Sequence, residues 1–226
     1  MNTPAGSLST LADSLASTFP CCDDAPLALA LLDELAKGEP VTIGRLARAA
    51  HRDEDDIAAT LHRWPNLHRD GQARVVAFGG LGVRPTPHRF EVGGRRLYTW
   101  CAWDTLFLPA LLGREARVES ACPVTGTEVR LTVGPDGVRA AQPPSLQVSF
   151  PAPASTVTSD ITVSFCCHVH FLADQEAAEE WLGENQGGLT LSLEDAVELG
   201  RLATRPLLVD GRAARGLTPT AEPPAP

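Results

Sequence analysis

The spacing of apolar and polar positions divides the chain into a helical front, a strand-rich middle and a helical end. Over residues 26–37 apolar side chains recur at helical spacing and stop at Gly38, which predicts a helix with a glycine terminus. Thr42 is placed to cap a second, shorter helix reaching about Ala50. Asp53, with Asp56 three residues on, resembles a capping box for a third helix ending near Trp64-Pro65. Asp70-Gly71 is a turn dipeptide between short strand-like runs, one of them residues 73–78. Three helices followed by a β-ribbon predict a winged-helix-like region.

Gly79-Gly80 and Pro85/Pro87 then read as a linker, and Gly93-Gly94 as a hairpin turn between residues 90–92 and 96–97. Residues 97–112, LYTWCAWDTLFLPALL, are apolar on every side, which predicts a buried helix kinked or ended by Pro109. Residues 117–150 alternate in short runs with turns at Thr125-Gly126 and Pro135-Asp136-Gly137, the pattern of an antiparallel meander. Residues 161–172 read as a further strand carrying SFCCHVHFL. Asp174 is placed to cap a helix through Trp181, and Ser192 with Asp195 opens a last helix to about Thr204. The fold class expected is α+β: an N-terminal three-helix winged-helix-like region, then an antiparallel-sheet core with packed helices. The expected divisions are a flexible arm over 1–24, the winged-helix-like region over 25–80, an α+β catalytic core over 81–209 and a disordered tail over 210–226.

Charge narrows the partners. The 226 residues carry a formal net charge of -9. A negative chain is repelled by phosphate backbones and by anionic membranes, so neither nucleic acid nor membrane is expected as a partner. The third helix would also begin with Asp53-Glu54-Asp55-Asp56, acids where a recognition helix meets DNA. No stretch reaches the roughly 18 apolar residues that span a bilayer. The N-terminus lacks a basic segment ahead of an apolar run, so a cytoplasmic location with reduced thiols is expected.

In that setting the six cysteines, Cys21, Cys22, Cys101, Cys122, Cys166 and Cys167, look like neither a secreted disulfide framework nor a structural zinc site. Two placements resist a packing role. Asp104 stands in an apolar segment, where an unpaired carboxylate costs several kcal/mol, and on a helix it would share a face with Cys101. In Cys166-Cys167-His168-Val169-His170, a strand would put Cys166, His168 and His170 on one face and Cys167 on the other. Such a set, with Cys101, also suits a non-catalytic zinc or copper site. Cys122, near a turn, reads as packing, and Cys21 and Cys22 at the end of the arm read as incidental thiols.

Several blocks in order carry a more specific signal: Trp100-Cys101-Ala102-Trp103-Asp104-Thr105-Leu106, then Phe107-Leu108-Pro109-Ala110-Leu111-Leu112-Gly113-Arg114, then Ala121-Cys122 with Thr125-Gly126, then Ser164-Phe165-Cys166-Cys167-His168-Val169-His170-Phe171, with Trp181 downstream. Over roughly residues 25–205 the chain resembles the organomercurial lyase (alkylmercury lyase) family. The resemblance implies a catalytic set of Cys101, Asp104 and Cys166 that also holds the Hg(II) product, with Cys167 a neighbour and Cys122 structural. It further implies an organomercurial substrate, no cofactor or resident metal, release of Hg(II) to external low-molecular-weight thiols, and a possible hand-off to mercuric reductase. The chemistry suits the residues. Thiolate is the soft side-chain ligand for a soft metal, and cleaving a carbon–mercury bond to a hydrocarbon needs a carboxyl group protonated near neutral pH. Burial and a nearby thiolate would both raise an aspartate toward that range.

Overall fold

The computed structural model describes residues 5–16, 23–151 and 160–214. The helices of the front are α1 (Ala5–Ala16), α2 (Ala25–Leu35), α3 (Ile43–Ala50) and α4 (Glu54–Arg63). The ribbon follows as β1 (His68–Arg69), β2 (Val75–Phe78) and β3 (Leu81–Gly82), and then β4 (His88–Val92) and β5 (Arg95–Thr99). After α5 (Asp104–Leu112) come β6 (Ala116–Ala121), β7 (Glu128–Gly134), β8 (Gly137–Gln142) and β9 (Gln147–Phe150). The last part holds α6 (Ile161–Ser164), a 3-10 turn (Cys166–His168), β10 (Phe171–Leu172), α7 (Gln175–Glu184), β11 (Leu189–Ser192) and α8 (Leu193–Ala214).

Capping explains most of the helix starts. Asp24 accepts the Leu27 N–H, Thr42 that of Arg45, Asp174 that of Ala177 and Ser192 that of Asp195. Asp53 stands at the N-cap of α4 but makes no side-chain cap bond, so the capping box expected there does not form. Asp56 is instead drawn into an ion pair with Arg52.

Strand pairing joins the front to the core. One antiparallel sheet runs in the order β1-β2-β3-β5-β4-β6-β7-β8, and a second in the order β10-β9-β11. The ribbon of the winged-helix-like region is therefore continuous with the core sheet through β3 and β5. Gly93 and Gly94, both at positive φ, make the tight turn between β4 and β5 that residues with a Cβ rarely adopt. The inward positions of β4 and β6 are Phe90, Val92, Ala116 and Val118, while Arg89, Glu91, Arg117 and Glu119 face out. One apolar core runs from Leu8 to Leu207, with α8 packed against α1, α2 and α5.

The structure departs from the sequence expectations in several places. Within the expected loose arm, Leu8, Ala12 and Leu15 are buried at i, i+4 and i+7, and α1 docks on α8. The segment 97–112 is not one helix. Its first residues complete β5 by pairing with β4, and the helix begins at Asp104. Helix α5 continues through Pro109 and ends at Gly113, whose φ is 63°. Residues 161–168 are helical rather than extended. Asp160 caps α6 by accepting the Thr162 N–H, which overrides the β-branched run Ile161-Thr162-Val163. Gly79-Gly80 is a tight turn between paired strands rather than a linker. Helix α8 runs through residues 210–214, which were expected to open the tail; 215–226 lie outside the described residues, as do Cys21 and Cys22.

Candidate active site

Three short segments converge beneath the apolar core. The first is the link between β5 and α5. Thr99 donates its hydroxyl to the Cys101 carbonyl at 2.9 Å, and the Cys101 N–H donates to Asp104 Oδ2 at 2.8 Å. Asp104 opens α5, so its carboxylate also gains from the positive end of that helix. Cys101 and Asp104 thus meet across a turn and not along a helical face. Trp103 anchors the link from below, its indole N–H reaching the Ala196 carbonyl on α8 at 2.9 Å.

The second segment is the 3-10 turn. It buries Cys166 and leaves Cys167 and His168 exposed. It is tied to the first segment by the Ala102 N–H, which donates to the Val169 carbonyl at 3.2 Å. Ser149 on β9 clamps it from behind, donating to the His168 carbonyl and accepting the His170 N–H, both at 2.9 Å. The third segment is the β2–β3 turn. Gly80, at φ +88°, lies so close to Asp104 that a Cβ there would stand 2.5 Å from both Oδ1 and Cγ. Glycine is required for that approach.

The outcome is a compact trio. One ligand atom from each of Cys101, Asp104 and Cys166 lies within 4.8 Å of the others. The residues are 0%, 5% and 4% exposed. Thiolate bonds to a metal such as zinc run about 2.3 Å, so ligand atoms this close together can share one metal. His168 and His170 take no part. The 3-10 geometry turns His168 to solvent, and the Cys101/Cys166/His168/His170 cluster considered for zinc or copper is not assembled. Cys122 packs in a separate small cluster with Leu172, Ala173, Ala177, Ala178 and Trp181.

Burial pushes the Asp104 carboxyl up to about 6, held back by hydrogen bonds from the Cys101 thiol and from the Cys101 and Trp100 N–H groups. The rise expected from the sequence invoked a neighbouring thiolate as well; here the thiol is a donor that opposes the rise. The Cys101 thiol is itself driven far above its ordinary range, by burial first and then by Cys166 and Asp104. For Cys166 the hydrogen bond from Cys101 pulls down, yet burial and the charges of Asp104, Cys167 and Asp160 leave it raised. At rest the trio therefore holds both thiol protons.

Sequence reasoning missed Gly80, Ser149 and the whole role of the β2–β3 turn. The Gly79-Gly80 pair was the available signal, since a glycine pair marks close backbone approach as readily as a linker. Nothing in the local sequence of Ser149 distinguishes it from an ordinary strand serine.

Comparison with known proteins agrees with this construction. Residues 81–204 match the family model for alkylmercury lyase, and residues 8–79 match that for the helix-turn-helix domain of alkylmercury lyase. The alkylmercury lyase of Bacillus cereus is 45% identical over 172 residues, 76% of this chain and 78% of that one. That of Pseudomonas putida is 41% identical over 200 residues, 88% of this chain and 93% of that one. A crystal structure described as the mercury-bound form of MerB2 shares the fold, with a TM-score of 0.69 at 24% identity over 88% of this chain and 98% of that one. With a family model covering more than half its length and relatives this similar, the chain belongs to the alkylmercury lyase family.

Proposed function

We propose that this chain cleaves the carbon–mercury bond of alkyl- and arylmercury compounds, with Cys101 and Cys166 as mercury ligands and Asp104 as proton carrier. The observation that carries the reading is the trio itself: two thiols and one carboxyl, all buried, with ligand atoms within 4.8 Å. The balance is R–Hg–X plus two thiols giving R–H, a Hg(II) dithiolate and HX. One thiol displaces X from mercury, and its proton leaves with X. The second thiol gives its proton to Asp104 as its sulfur binds the metal. Two thiolates then load electron density onto the mercury-bound carbon, and Asp104 delivers its proton there as the carbon–mercury bond breaks. A carboxyl near 6 can both accept from a thiol and donate to carbon close to neutral pH.

Enclosure supports the same reading. With Cys101 fully buried, water is kept from the proton being moved, and charge interactions are stronger than in solvent. It also leaves Hg(II) held until another thiol extracts it. We assign that step to external low-molecular-weight thiols, with mercuric reductase as a further acceptor, in a reducing cytoplasm. No helix among the described residues is long and apolar enough to cross a membrane.

The test is release of benzene from phenylmercuric acetate in excess thiol. Wild type is expected to release it, while Asp104→Ala, Cys101→Ser and Cys166→Ser release almost none. Tight mercury binding without benzene from wild type would mark the trio as a metal-holding site and reject the lyase reading.

A further inference from the structure

The winged-helix-like region touches the segments that carry the trio through two neighbouring side chains. Asn66, in the turn between α4 and β1, has a φ of 57° and accepts the Ile161 N–H at 3.1 Å through Oδ1. Ile161 opens α6, five residues before Cys166. His68 on β1 stacks on Trp100, with ring centroids 5.0 Å apart and planes 22° apart. Trp100 immediately precedes Cys101, and its N–H donates to the Gly80 carbonyl at 2.9 Å and helps hold Asp104 down. His68 also acts electrostatically on Asp160, the residue that caps α6. One short stretch, Asn66 to His68, therefore grips the segment bearing Cys166 with one side chain and the segment bearing Cys101 and Asp104 with the next.

We propose that Asn66 and His68 are positioning residues of the active site, setting the separation of Cys101 from Cys166. This rests on the roles given above to Cys101, Asp104 and Cys166. The physical case is one of leverage. Between residues 160 and 168 the chain is short helix and turn, with Asp160, Ile161 and Ser149 among its anchors. Displacing its start moves Cys166, whereas the Cys101 link is fixed by Thr99 and Trp103. A misplacement of about 1 Å at a reacting centre costs about 100-fold in rate. This reading also gives the winged-helix-like region a function without DNA: its ribbon builds one wall of the site through Gly80 and latches the two thiol segments through Asn66 and His68.

The test uses the full chain and two readouts, kcat against KM for phenylmercuric acetate and the ultraviolet thiolate-to-mercury absorption of the Hg(II)-loaded protein. Asn66→Gly keeps the left-handed backbone and deletes the acceptor; His68→Ala deletes the stack. Each is expected to lower kcat about 10- to 100-fold, with a smaller change in KM, and to alter the mercury absorption. Asn66→Asp and His68→Phe, which restore the acceptor and the stack, are expected to recover most of kcat. Folded Asn66→Gly and His68→Ala proteins with wild-type kcat and absorption would overturn the proposal. So would failure of both to fold, because the contacts would then be structural. Absence of benzene from wild type would reject the catalytic reading and is distinguishable from either result.

Discussion

Replacing Asp104 with Asn should make the protein more stable at alkaline pH while abolishing its chemistry, and the gain should fade as the pH falls. Burial raises the folded-state pKa of Asp104 from 3.8 to about 6. The folded protein then binds this proton more tightly than the unfolded chain does. Ionised Asp104 is consequently a cost to the fold, absent below about pH 4, growing between 4 and 6 and complete above 6. A difference of about 2 pKa units is worth about 3 kcal/mol. Asn keeps an oxygen for the Cys101 N–H but loses a charged acceptor for the Cys101 thiol and places an amide against Gly80, which offsets about 1 kcal/mol. The net gain at pH 8 is about 2 kcal/mol.

Packing differences between Asp and Asn do not change with pH, so they cancel when the two proteins are compared at two pH values. Urea unfolding of wild type and Asp104→Asn at pH 8 and pH 4.5 should show the advantage of the variant shrinking by about 2 kcal/mol on acidification. A stability difference that stays flat between these pH values would refute the assignment of a raised pKa to Asp104, whatever its sign.

Other perturbations test the same site from different sides. Gly80→Ala should clash with the Asp104 carboxyl and strain a positive φ; unfolding assays should show a loss of about 1–3 kcal/mol, and benzene release should fall at least tenfold. Cys167→Ser should keep most activity in the same assay while Cys166→Ser loses nearly all; the reverse result would exchange their roles. Ser149→Ala removes both hydrogen bonds that clamp the turn behind Cys166 and should cost about 1–3 kcal/mol of stability and lower kcat. In weakly buffered solution at pH 8, loading with inorganic mercuric chloride should release two protons per protein and one turnover of phenylmercuric acetate only one, as read by an indicator dye.

How much of this was legible follows from where the information lies. Helices α3, α7 and α8 were readable because their caps are local: Thr42, Asp174 and Ser192 each bond a backbone N–H three residues on. The hairpin at Gly93-Gly94 was readable for the same reason. The two segments that carry the proposed trio were misread in secondary structure, one as a single helix and the other as a strand. Their shapes depend on distant partners, β4 for residues 95–99 and Ser149 and Val169 for the turn at Cys166. The identities of Cys101, Asp104 and Cys166 came from the order of their motif blocks, which does not depend on local conformation. Gly80 was invisible as a site residue because its contact to Asp104 exists only once the ribbon is paired into the core sheet.

The protons give the arrangement its direction. Among the described residues the cysteine whose thiol lies below its ordinary range is Cys122, where burial is outweighed by hydrogen bonds from Thr125, Ala173 and Val124. Yet Cys122 stands apart from the trio. A site built to store a metal gains from thiols already stripped of protons, because each proton held competes with the metal. The thiols of Cys101 and Cys166 are raised instead, so in the proposed reaction mercury displaces their protons as it binds. Asp104 is an acceptor of suitable pKa within 4.8 Å of both. A proton parked there cannot exchange readily with water at 5% exposure, and the mercury-bound carbon is the base that grows strongest as the second thiolate attaches. The feature that weakens the trio as a metal trap is therefore the one that, in the proposed reaction, supplies the proton the reaction consumes.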